Sequence, residues 1–131
     1  MPIEWKYVEI YEHVRAPQTS INRYIPLVGS GSSIKQWEKS YEYDPVYELV
    51  RQTLLVEGII KSCDKVLRVD DYLHLNVIPA GNKELRSDVC TFSDGLIDSS
   101  KYLIISPEKL MEPVKNTHRD LCEYLAARYW K

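Results

Sequence analysis

An α/β fold, with a sheet that is partly parallel or mixed, is what this sequence predicts. Three observations carry that expectation. Short aromatic and β-branched segments alternate with helical ones, the longest helical segment follows Asp44-Pro45, and a proline ends the strand-like run Tyr72–Pro79. With 131 residues, 44% apolar and 27% charged, the chain falls in the range of one ordinary globular domain spanning 1–131.

The elements follow in order. Ile3 to Tyr11 alternates charge with Trp5, Tyr7, Val8, Ile10 and Tyr11, which predicts a strand. Residues 12–43 contain Pro17, Pro26 and the breaker run Gly29-Ser30-Gly31-Ser32-Ser33, so they predict a long loop region with at most a short helix around Ile34–Lys39. Asp44 as N-cap and Pro45 at the first helical position open a helix that runs to about Ser62. Its apolar residues include Leu55 and Val56 as well as Leu49, Val50 and Leu54, which predicts a largely buried element. Tyr72–Pro79 reads as a strand, Asn82 as the cap of a short helix to about Val89, and Tyr102–Ile105 as a second buried strand. Pro107 opens a helical stretch toward Val114, and a last helix over 117–129 places Leu121, Tyr124, Leu125 and Arg128 on one face.

Charge and composition exclude several functions. Seventeen basic against nineteen acidic residues leave a net charge of −2, too little positive field for a passive nucleic-acid coat. A bound metal can supply the charge that holds a phosphate, so an enzyme acting on nucleic acid stays open. No apolar run is long enough for a membrane span, and the charged N-terminus lacks the order of a signal peptide. The expected location is cytoplasmic. Cys63, Cys90 and Cys122 are odd in number and unpaired in spacing, as in reduced thiols.

Glu4 and Lys6 form the sharpest chemical feature. Residues two apart on a strand share a face, so a carboxylate able to hold a hard cation and an ammonium able to hold an attacking water emerge together. A solvent-facing strand edge carries such a pair for no chemical reason too. On the long helix, Glu48 and Gln52 share a face and Arg51 lies beside them. These three either brace a reaction centre or form the solvated side of the helix. His13, His74 and His118 show no ligand spacing, and His74 reads as a hydrogen-bonded core histidine. The glycine-serine run lacks the lysine and helix of a phosphate loop and reads as a flexible loop tip.

The run Ile3-Glu4-Trp5-Lys6-Tyr7-Val8-Glu9 resembles the Glu-x-Lys strand of the PD-(D/E)XK nuclease superfamily. More narrowly, it resembles a bacterial group of restriction-endonuclease-like proteins of unknown specificity. In that group a helix like Tyr47-Glu48-Leu49-Val50-Arg51-Gln52-Thr53-Leu54-Leu55 follows, and then a strand like Leu73-His74-Leu75-Asn76-Val77-Ile78-Pro79-Ala80-Gly81-Asn82. The resemblance implies a restriction-endonuclease-like core, a mixed sheet flanked by helices, that hydrolyses a DNA phosphodiester. It makes Glu4 the metal ligand for Mg2+ or Mn2+ and Lys6 the catalytic lysine, with Gln52 assisting and Arg51 and Glu48 facing the substrate. The superfamily also uses an acid on the preceding strand. Only three residues precede Glu4, so the resemblance implies an N-terminally truncated core, completed by a partner chain or within a homo-oligomer. The alternative reading is a non-catalytic interaction module that keeps the fold.

Overall fold

Three short strands, β1 (Ile3–Trp5), β2 (His74–Val77) and β3 (Tyr102–Ile105), lie side by side in the order β1-β2-β3. In this computed structural model the described residues are 3–5, for the backbone alone, 13–62 and 69–129. The remainder of the expected first strand, with Lys6, lies outside them. Both strand pairs run parallel, with Glu4 in register with Asn76 and His74 with Tyr102. Among the described residues the sheet is therefore parallel throughout rather than mixed, and β1 forms one edge. Parallel neighbours need long crossovers, usually carrying helices, and these connections do. Central β2 is buried at all four positions, as expected of a strand covered on both faces.

The helix after Asp44-Pro45, α2 (Val46–Ser62), is the longest of the chain's helices. It starts one residue later than the proline-first reading places it. Val46, Leu49, Val50, Thr53 and Leu54 form its buried side. Leu55 and Ile59 do not join them: they are 52% and 37% exposed. The helix packs one face on the sheet, and its apolar content exceeds what that face can cover.

A second correction concerns residues 12–43. Helix α1 (Gln18–Tyr24) forms there, together with 3-10 turns at Ile25–Leu27 and Lys39–Glu42, while no helix forms over 34–38. Its composition is unremarkable for a helix, yet Ile21 is fully buried and anchors it. The Pro17 carbonyl accepts from the Ser20 and Ile21 amides, and the Gln18 amide donates to Asn22 Oδ1 at 2.9 Å, one turn on. Tertiary burial, not local propensity, makes this helix.

Beyond β2, α3 (Lys83–Asp94) begins where Asn82 predicts, its side chain accepting from the Leu85 amide at 3.2 Å. It continues well past Val89 because Phe92 lies in the core, edge-on to both Tyr41 and Tyr102. Gly95 closes this helix, and a Cβ there would lie 1.9 Å from the Tyr41 hydroxyl, so no larger residue fits. Pro107 opens α4 (Pro107–Met111), as read from the sequence, and the Ser106 side chain caps it. In α5 (Arg119–Tyr129) the buried residue is Cys122; Leu121 and Tyr124 are half exposed, so the expected apolar face points the wrong way by one residue. One core cluster joins α2, α3 and the sheet through residues such as Val50, Ile78, Val89 and Tyr102.

Candidate functional site

Two polar features interrupt this core, one on the sheet and one at the far end of α2. On β2, His74 and Asn76 alternate with Leu75 and Val77, so they share the face that α2 covers. The Asn76 amide donates to the Tyr102 hydroxyl at 2.8 Å. His74 packs edge-on to the Tyr102 ring, and its Nδ1 lies 3.4 Å from the Thr53 hydroxyl on α2. Among the described residues its Nε2 has no hydrogen-bond partner. Burial pushes its pKa down to about 4, so the ring is neutral at physiological pH. The expected core histidine is there, held by one long hydrogen bond and a ring contact.

Glu4 occupies the register position next to Asn76. The backbone thus sets the expected metal ligand beside the polar pair of the central strand. The side chains of Glu4 and Lys6 lie outside the described residues, as do Glu9 and Glu12. On α2, Glu48 and Arg51 face each other at 3.9 Å one turn apart, Arg51 exposed and Glu48, like Gln52, half-buried. A pair this exposed contributes little to stability.

The second feature is Glu57, the one acid of α2 that is buried. Its carboxylate accepts from the Ser32 hydroxyl and the Ser33 amide, each at 2.8 Å, from the Tyr72 hydroxyl at 3.2 Å, and from the Ser33 hydroxyl. Three of these four donors come from the glycine-serine run. Far from being a loose tip, this loop is bent by Gly29 and Gly31 at positive φ, 101° and 79°, and fastened onto α2. Four donors compensate the desolvation of one carboxylate. A cleft of about 320 Å³ opens beside it, between the loop and the turn at Ser99–Lys101. At its rim Lys101 donates to Asp71 at 2.5 Å, which lowers the Asp71 pKa and raises that of Lys101.

The glycine-serine run and Glu57 were separately visible in the sequence, the latter as a lone carboxylate among Leu54, Leu55, Val56, Ile59 and Ile60. Nothing in the sequence joins them. Among the described residues no cluster of three or more His, Cys, Asp or Glu side chains could hold a metal. No described helix is long and apolar enough to cross a membrane.

A parallel α/β domain with an acid-bearing first strand is the setting in which the family comparison falls. The model of the family described as restriction endonuclease associating with ARP matches residues 1–130. The chain belongs to that restriction-endonuclease-related family. No curated protein and no solved structure matches it.

Proposed function

We propose that this chain is a PD-(D/E)XK-type nuclease component that hydrolyses a DNA phosphodiester with a divalent metal and works in association with ARP. The observation that carries the reading is the position of Glu4 in β1, in parallel register with the central strand, in a chain of restriction-endonuclease-related family. One carboxylate suits magnesium or manganese, which keep several waters and use only one or two protein carboxylates beside substrate phosphates. The ion, when bound, would polarise the scissile phosphate and acidify a water. Lys6 then holds the attacking water and balances charge on the phosphate as it becomes five-coordinate. Gln52 orients that water, Arg51 and Glu48 set the edge along which the DNA backbone passes, and the partner contributes a second acidic ligand. Asn76 and Tyr102 support the site from the neighbouring strands.

A non-catalytic association role has its own support in the family's description as an associating protein and in the net charge of −2. Calorimetric titration of MgCl2 and MnCl2 into the chain, purified with its ARP partner, separates the two. The nuclease reading expects binding heat that Glu4→Ala removes without lowering the melting temperature; identical titrations for wild type and variant would leave the association role standing.

A further inference from the structure

His74 is 2% exposed in the central strand, yet among the described residues only one of its two ring nitrogens has a partner. Its Nδ1 lies 3.4 Å from the Thr53 hydroxyl on α2, and its ring stands edge-on to Tyr102 on β3. Neither contact takes up Nε2. Buried polar atoms nearly always find a partner, and one that does not costs free energy. An apolar side chain would pack against Thr53 and Tyr102 without that cost, so packing alone does not account for an imidazole here.

The register of the sheet shows what lies within reach. Glu4 pairs with Asn76, and Asn76 and His74 are two residues apart on one face of β2. Cross-strand partners share a face, so the positions of Glu4 and His74 are diagonal neighbours on it. Strand spacing and rise set their Cα atoms about 8 Å apart. One ion can take a ligand from each across that distance.

We propose that His74 Nε2 is a protein ligand of the divalent ion, beside Glu4, and makes manganese rather than magnesium the preferred ion; the inference rests on the metal-dependent reading above. Thr53 acts behind it. By accepting from Nδ1–H, its hydroxyl fixes the tautomer that carries the lone pair on Nε2, as partners of ligating histidines commonly do. Imidazole nitrogen suits first-row transition ions, whereas magnesium demands near-octahedral oxygen and gives up its waters reluctantly. A carboxylate and an imidazole leave positions on the ion for water and for a phosphate oxygen.

The test loads the chain, purified with the proposed ARP partner, with MnCl2 and reads pulsed electron paramagnetic resonance, with calorimetric titrations of MnCl2 and MgCl2 alongside. The wild type is expected to show the nitrogen modulation of a directly bound imidazole. His74→Leu is expected to lose it and to bind manganese about tenfold or more weakly, with magnesium affinity little changed. His74→Gln, which keeps a polar side chain in the core, is expected to lose the modulation as well. Manganese bound by the wild type without nitrogen modulation overturns the His74 ligand and leaves metal-dependent hydrolysis standing. Modulation that persists in either His74 variant, or in Glu4→Ala, does the same. No manganese binding by the wild type overturns both.

Discussion

Asn76 and Tyr102, on neighbouring parallel strands, are joined by a 2.8 Å hydrogen bond from amide to hydroxyl in the middle of the core. Both residues are buried, and Asn76 is only 1% exposed. A buried polar group is costly unless it is partnered, so the two side chains stand or fall together.

Tyr102→Phe tests that dependence. It keeps the ring contacts with His74 and Phe92 and removes the acceptor of the Asn76 amide. The expected loss is about 1–3 kcal/mol in urea unfolding at unchanged m-value. A loss below about 0.5 kcal/mol would mean that the pair is not stabilising the core.

Glu57 fastens the glycine-serine loop to α2, and Glu57→Ala strands the Ser32 hydroxyl and the Ser33 amide together. Hydrogen bonds to a charged group contribute about 1.5–3 kcal/mol net, and water entering the adjoining cleft can satisfy part of what is stranded, so a loss of about 2–3 kcal/mol is expected. Native-state hydrogen exchange should show the loop from Gly29 to Ile34 opening first. Unaltered protection of those amides in Glu57→Ala would contradict this assignment.

His74 makes stability depend on acid. The folded state takes up its proton at about pH 4 and the unfolded chain at about 6.5. Between those values the unfolded state holds a proton that the folded state lacks, so acidification favours unfolding. The contribution is complete above pH 6.5 and is lost as pH falls toward 4, on the order of 3 kcal/mol in all. Urea midpoints at pH 7, 6, 5 and 4.5 should fall in the wild type and fall much less in His74→Leu. Parallel pH profiles for the two proteins would place the acid sensitivity elsewhere.

Where local chemistry dictates structure, the sequence was legible. The Asn82 cap, the strand Tyr102–Ile105 and the proline at the head of α4 appear where they were read, although that strand is not the buried one expected, since Leu103 is exposed and only Tyr102 is buried. The long helix was displaced only at its start. Failures came where distant residues decide. Helix α1 exists because Ile21 finds the core, and the loop at Gly29–Ser33 is ordered by an acid on another element. The exposure of Leu55 depends on how α2 rolls against the sheet, which periodicity does not encode. The candidate site was legible as residue types on β1 and α2. Its setting, with Asn76 in register beside Glu4 and Tyr102 behind it, arises from strand order, which no local pattern contains.

DNA cleavage by the chain together with the proposed ARP partner, in magnesium, is the most direct measurement of the central claim. Supercoiled plasmid should be nicked or linearised by the wild type, with Lys6→Ala reducing the rate by about a hundredfold or more at an unchanged melting temperature. Equal turnover by wild type and Lys6→Ala would contradict it.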